Sequence, residues 1–367
     1  MGKVKKKGKE RGEKGIREEI PRFPDPLVLL RWYDRHRRAL PWRAARGEKP
    51  DPYQVWLSEI MLQQTTVATV GPYFQKFIAR WPTLGDLAAA SLDDVLRLWA
   101  GLGYYRRARM LHLCAQRLRD DYGGEIPQDE KSLLTLPGFG PYTAAAVAAI
   151  AFDRPANVVD GNVERVMARV FHINEPLPKA KKALRAAAAA LVPQKRCGDY
   201  AQALMDLGAT VCAPRSPTCA LCPWQEACQA HALGIQETLP RRARVKPKPV
   251  RRGFAFVLVN PAGEVYLRRR PPHGLLAGMM EAPGSPWREG SMPRLAEARP
   301  YAPAKAKWRL CPGVVTHIFT HFTLELTVAT ATTAQSLSGL WLAPDALDRE
   351  ALPSVMKKIV RHAVKGV

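Results

Sequence analysis

The sequence predicts a mainly α N-terminal domain over residues 21–234, a basic linker over 235–252 and a smaller α+β domain over 253–367. Three observations predict it. Apolar residues recur at helical spacing as far as Gly234, a proline- and arginine-rich stretch follows, and beyond it short β-type runs replace the helical pattern. A chain of 367 residues with 47% hydrophobic content can bury two cores.

Residues 1–20 are mostly Lys, Arg, Glu and Gly and offer almost nothing to bury, so a disordered basic arm is expected there. Such an arm serves equally as a solubilising tail or as a contact to DNA. Helical spacing is clear in Leu87, Val95, Leu98 and Leu102, and again in Val163, Val166, Met167 and Val170. Pro50-Asp51-Pro52, Trp81-Pro82-Thr83, Gly123-Gly124 and Leu136-Pro137-Gly138 punctuate the helices. The alanine-rich stretch Pro178 to Leu191 forms a helix without chemistry on its face. The linker holds three prolines and no acid between Pro240 and Arg252, which suits an extended chain. After it, Phe254 to Asn260, Glu264 to Arg269, His317 to Phe322 and Thr323 to Val328 are expected as strands, and Leu352 to Val364 as a closing helix.

A formal charge of +23, from 56 Lys and Arg against 33 Asp and Glu, favours a polyanionic partner. Nucleic acid and an anionic membrane surface both fit that charge. No apolar run approaches the roughly 20 residues needed to span a bilayer, no secretory h-region opens the chain, and Lys6 stands where a myristoylation motif needs Ser or Thr. The expected location is therefore cytoplasmic, with no membrane partner. Cys114, Cys197 and Cys311 are scattered, whereas Cys212, Cys219, Cys222 and Cys228 crowd into a C-x6-C-x2-C-x5-C loop over 212–228. In a reducing compartment that cluster reads as metal ligation, and coordination chemistry alone suggests zinc first.

Two carboxylates carry the expected chemistry. Leu136 to Ala144 places Gly138 and Gly140 in a tight turn that opens an Ala-rich helix, an arrangement that brings backbone amides close to phosphate. Shortly downstream, Asn157-Val-Val-Asp-Gly-Asn ends an apolar pair in Asp160, with Asn162 placed to orient it. An N-cap is the simplest role for such an Asp. Glu59 is the single acid in the apolar helix Val55 to Leu62, with Gln63 one turn later. A buried Glu has a raised pKa suited to donating a proton near neutrality, while an ionised Asp stabilises nearby positive charge.

The turn with Asp160 resembles the helix-hairpin-helix and catalytic aspartate of the endonuclease III-like DNA glycosylases. Ser58-Glu-Ile-Met-Leu-Gln-Gln-Thr65 further resembles the signature of the MutY-type adenine glycosylases. The resemblance runs from about Pro24 to the C-terminus. It implies that Glu59 protonates adenine, that Asp160 steadies the sugar, and that the chain acts as a monomer on double-stranded DNA carrying A opposite 8-oxoguanine or G. Strand-cleaving relatives carry a lysine at the Tyr142 position for a Schiff base, so a monofunctional enzyme is implied. Leu40-Pro-Trp42-Arg43 resembles the adenine-pocket segment, and Gly101 to Arg109 the loop that inserts an aromatic ring. Gln64 and Tyr104, the latter only slightly preferred over Tyr105, are expected to fill the gap left by the extruded base. Asp206 stands where the family usually has a Glu that contacts adenine.

The cysteine spacing implies a four-iron four-sulfur (4Fe-4S) cluster, with Arg215 in its loop near phosphate. The C-terminal domain resembles the Nudix-like module of the same enzymes. The stretch just after Gly278 offers only Glu281, Glu289 and Glu297, with no dense Glu run, too few for the magnesium site of a working Nudix hydrolase. Recognition is the implied task, with Phe319, Thr320 and His321 matching the loop that reads 8-oxoguanine. A mismatch-thymine glycosylase and a non-catalytic lesion-binding protein are the competing readings, the first opposed by Glu59 and the second by the presence of both carboxylates.

Overall fold

The computed structural model describes residues 23–243 and 247–365. The expected basic arm and the middle of the linker lie outside the described residues. The helical part runs α1 (Pro26–His36), α2 (Pro52–Leu62), α3 (Val67–Arg80), α4 (Leu84–Ala89), α5 (Leu92–Trp99), α6 (Arg106–Tyr122), α7 (Glu130–Leu133), α8 (Pro141–Phe152), α9 (Gly161–Val170), α10 (Lys181–Ala189), α11 (Cys197–Thr210) and α12 (Gln229–Ala232).

Local chemistry starts these helices where the sequence has a capping side chain. Asp25 and Asp51 accept from the amides of Leu27 and Tyr53 ahead of Pro26 and Pro52, and Thr83 with Asp86 forms a reciprocal capping box. Gly123 ends α6 in a left-handed conformation. The helices bury two apolar cores. One gathers α2 to α8 around Trp56, Phe77 and Trp99, and the other gathers α1 and α9 to α12 around Tyr33, Val166 and Trp224. Helix α11 packs on both α8 and α9 and so joins the two cores.

The second part contains β1 (Val250–Val259), β2 (Val265–Arg269), β3 (Met280–Glu281), β4 (Arg288–Glu289), α13 (Leu295–Ala298), β5 (Arg309–Leu310), β6 (Val315–Ile318), β7 (Thr323–Thr332), β8 (Leu340–Leu342) and α14 (Ser354–Lys365). Its mixed sheet follows the order β3-β2-β1-β7-β5, with β1 and β7 parallel from Val250 opposite Thr323 to Val259 opposite Thr332. Helix α14 covers one face through Val355, Met356, Ile359 and Val360. Two expectations are corrected. The strand expected over 317–322 stops at Ile318, because Phe319 to Phe322 closes a turn through the Phe319 amide and the Phe322 carbonyl at 2.9 Å. The linker is shorter than 235–252, since Gln236–Thr238 is a helical turn and β1 already begins at Val250.

The two parts share packing. Met279 is fully buried in the core of the helical part, and Leu276 touches the cores of both. Among the described residues no helix is long and apolar enough to cross a membrane.

Candidate active site

Glu59 sits in the last turn and a half of α2, a helix apolar enough to be buried on nearly every face. Its side chain is 6% exposed. Burial pushes its carboxyl up to about 7; the Tyr142 hydrogen bond opposes this, the charge of Asp160 adds to it, and Arg43 opposes it. The Tyr142 hydroxyl donates to Glu59 Oε2 at 2.7 Å. That phenol is itself held well above its ordinary value by burial and by the two nearby carboxylates, so it stays a donor.

Asp160 is the N-cap of α9. Its Oδ1 accepts from the Val163 amide at 2.7 Å, and its Oδ2 accepts from Asn162 Nδ2 at 2.9 Å. The simple capping role is therefore real, and it fixes one oxygen. Asn162 is in turn held by Arg165, whose Nη2 donates to Asn162 Oδ1 at 2.9 Å and to the Gly208 carbonyl at 2.7 Å. A side chain at Gly208 would stand 2.6 Å from Asn162 Cβ, so the close approach of α11 to α9 requires glycine.

Tyr142 and Thr143 open α8 directly after the hairpin turn. Thr143 accepts from Gln63 Nε2 at 3.1 Å, which ties the end of α2 to the start of α8. Gly138 has φ +81°, and a Cβ there would lie 2.8 Å from Met110 Cβ, so both conformation and contact demand glycine. Gly140 takes ordinary extended backbone and ends the turn as the N-cap of α8 without a side-chain cap, leaving the first amides of that helix free for an anion.

Asp206 corrects an expectation. It has no exposed surface, and both oxygens are taken: Arg43 donates at 2.7 and 2.8 Å, Arg38 Nε at 2.6 Å and the Arg38 amide at 3.1 Å. Burial would push this carboxyl up, but the two arginines outweigh it and hold it below the usual range. A direct contact with a base has no free acceptor here. What Asp206 does is fix Arg43, which bears electrostatically on Glu59. Arg43→Ala leaves Asp206 with Arg38 alone, and the expected loss of stability is about 1–3 kcal/mol, readable by denaturant unfolding. Trp42 is nine-tenths buried, edge-on to Phe74.

The expected wedge residues are presented to solvent. Gln64 and Tyr104 are exposed and occupy left-handed backbone, with φ of 58° and 48°. Tyr105 is buried, so only Tyr104 offers its ring. The Tyr104 hydroxyl shares a 2.7 Å hydrogen bond with Thr320 Oγ1 from the other domain. Beside it His321 is exposed, whereas Phe319 stacks on Phe322 and its carbonyl accepts from Lys248 Nζ at 3.1 Å.

Sequence reasoning missed Arg107. Its Nη1 donates to the carbonyls of Ile60 and Met61 at 2.8 and 2.9 Å, closing α2 just past Glu59. Its guanidinium also lies 5.3 Å from the ring centres of both Trp99 and Tyr104. The signal was present, since Arg107 falls on the same helical stripe as the buried Leu111, Cys114, Ala115 and Leu118.

Cys212, Cys219, Cys222 and Cys228 line one cavity together with Arg169 and Gln236. Among the described residues no group of His, Cys, Asp or Glu is arranged to hold a single metal ion. Arg169 is 1% exposed and has no carboxylate partner among the described residues; it donates to Cys212 Sγ at 3.2 Å and to the carbonyls of Cys212, Ala213, Pro214 and Leu239. A buried guanidinium needs a counter-charge, and four thiolates would supply it. Burial pushes the thiols of Cys219, Cys222 and Cys228 up, which favours their protonated form until a metal takes the proton's place. Arg215 is exposed on the same loop. In the second domain, Glu281 is buried and paired with Arg268 and Arg270.

Residues 57–194 match the model of the HhH-GPD superfamily of base excision DNA repair proteins, and residues 254–362 match a NUDIX domain model. The helical domain also superimposes on a thermostable thymine-DNA glycosylase with a TM-score of 0.51 and 34% identity, covering 57% of this chain and 95% of that one. The superfamily match together with this helical fold defines a base excision repair glycosylase. The human adenine DNA glycosylase is 36% identical over 91% of this chain and 72% of its own length. The Mycolicibacterium smegmatis adenine DNA glycosylase is 44% identical over 60% of this chain and 74% of its own length. The chain belongs to the adenine DNA glycosylase family.

Proposed function

We propose that this chain removes adenine paired with 8-oxoguanine or guanine in double-stranded DNA, by hydrolysis and without strand cleavage. The observation that carries this reading is a buried carboxyl held near neutrality, hydrogen-bonded to Tyr142 and electrostatically coupled to a second, N-capping carboxylate.

The extruded adenine takes a proton from Glu59 on a ring nitrogen. The bond between the sugar carbon and the base then breaks, its electron pair leaving with the purine, which is a better leaving group once protonated. Positive charge builds on the sugar, and the ionised Asp160 stabilises it until water adds to that carbon and gives up a proton. A phenol at position 142 has no amine for a Schiff base, so the product is an intact strand with an abasic site. The free amides ahead of α8, with Gly138 and Gly140, hold a phosphate. Gln64 and Tyr104 fill the vacated stack, and the Phe319 to His321 loop of the Nudix-like domain reads the opposite base. The enzyme works on DNA inside the cell, as a monomer.

The four cysteines fit a 4Fe-4S cluster. Their shared cavity, and the buried Arg169 awaiting negative charge, suit an anionic group larger than one ion. Bound there, the cluster would cross-link the 212–228 loop and keep Arg215 near the DNA backbone. Purified protein is expected to show the broad visible charge-transfer absorption of iron-sulfur proteins, which zinc lacks; a colourless protein carrying stoichiometric zinc would overturn this assignment.

The substrate assignment is tested by base release from duplexes with A opposite 8-oxoguanine and T opposite G. Adenine release alone is expected; preferential thymine release would displace the proposal. The reaction also has a predicted pH profile. Glu59 acts in its protonated form and its pKa is raised to about 7, so kcat/KM is retained below that value and lost above it. A single-turnover rate that stays flat to pH 9 would remove Glu59 as the acid.

A further inference from the structure

The base pocket and the loop proposed to read the opposite base lie on different domains, so their joint engagement depends on how those domains are held. A two-pronged polar link between them is on α5. Asp93 receives both terminal nitrogens of Arg269, at 2.8 and 2.7 Å, in a two-pronged ion pair. Arg269 ends β2, and its Nη1 also reaches the Gly278 carbonyl at 3.0 Å, which ties the strand end to the 276–279 turn. The same turn takes Arg109 of α6, which donates to the Ala277 carbonyl. Gly278 is left-handed, and a Cβ there would strike that guanidinium at 2.1 Å. Arg97, one turn along α5, pairs with Glu350 at 3.3 Å.

We propose that the Asp93–Arg269 pair is a positioning clamp that sets the reach of the Thr320 loop toward the base pocket, and so tunes discrimination between 8-oxoguanine and guanine opposite the adenine. The proposal rests on reading that loop as the lesion reader. Both partners are about half exposed, so an ordinary pair here would contribute little; a bidentate carboxylate contact backed by further cross-domain links is the exception. Neither residue touches Glu59, Asp160 or their hydrogen-bond partners, and the chemistry on an undamaged A:G pair does not depend on lesion contacts. A clamp that holds the reader close raises its effective concentration at the opposite base, and releasing it lowers that concentration only for the substrate the reader recognises.

The test compares single-turnover adenine release from A:8-oxoG and A:G duplexes for the full chain, Asp93→Arg, Arg269→Asp and the double swap. Each single variant is expected to lower the 8-oxoG-to-G rate ratio about three- to fivefold, with the A:G rate within about twofold of the parent, and the swap to restore the ratio. In the parent the ratio falls with added salt, and in the single variants it does not, because an exposed pair is screened. Unchanged ratios in the single variants, an equal loss on both duplexes, or a swap no better than the single variants would overturn the proposal. A parent with no preference for 8-oxoG would overturn the lesion-reader reading itself, and is seen before any variant is compared.

Discussion

Glu59→Gln is expected to lower single-turnover adenine release by about 10²–10⁴-fold, the range that general acid catalysis supplies. The substitution keeps shape and can still accept the Tyr142 hydrogen bond, so binding of the substrate duplex stays close to the parent value, measured by titration at fixed salt. The alkaline limb of the pH profile disappears with the titrating group. Stability moves the other way. A carboxyl raised to about 7 keeps its proton more tightly in the folded chain than in the unfolded one, so its contribution is present below about pH 4.5 and is lost as pH rises through 7. Above that, burying the charged form costs on the order of 3 kcal/mol, which the amide avoids. The variant is therefore expected to unfold at a higher denaturant concentration than the parent at pH 8.5 and at the same concentration at pH 4.5. Full activity in the Gln variant would end the assignment.

Asp160→Asn is the second large effect, an expected loss of about 10²–10³-fold in the same assay. Asparagine caps a helix as well as aspartate does, so the bond to the Val163 amide survives; the second position becomes a donor that no longer accepts from Asn162, and the expected cost to the fold is about 1 kcal/mol. The charge proposed to face the sugar does not survive. Because α9 keeps its start, a large loss of rate with little loss of stability separates the electrostatic role from the cap. The double variant is expected to lose less than the product of the two single losses, since both groups act on one transition state. A retained rate in Asp160→Asn would leave the aspartate as a cap and nothing more.

Where the chemistry shows in residue type, the sequence was readable. An acid inside Val55 to Leu62 had to be buried, since every neighbour wanted the core, and Asp51-Pro52 and Asp25-Pro26 carry their own helix starts. The limits came from partners distant in the chain. Asp206 reads as a free acid until α1 and the following loop bring Arg38 and Arg43 to it, a contact across more than 160 residues. Similarly, the 317–322 run has strand composition throughout, and only the Phe319 to Phe322 turn against β7 shows where pairing ends. Tyr104 and Tyr105 are identical as residue types and differ only in backbone: φ of 48° turns the first outward, while the second faces the core.

The position of Arg107 joins two segments that would otherwise be independent, the end of α2 and the Tyr104 loop. One planar cation both closes the helix carrying Glu59 and rests against the exposed ring of Tyr104. Were that ring driven between base pairs, as proposed, the cation would lose a face it was lying on, and the end of α2 would feel the change. On the proposed mechanism, insertion at the strand and readiness of the acid would share a mechanical joint, and a lysine there, with its charge intact but its fork gone, would leave the joint loose.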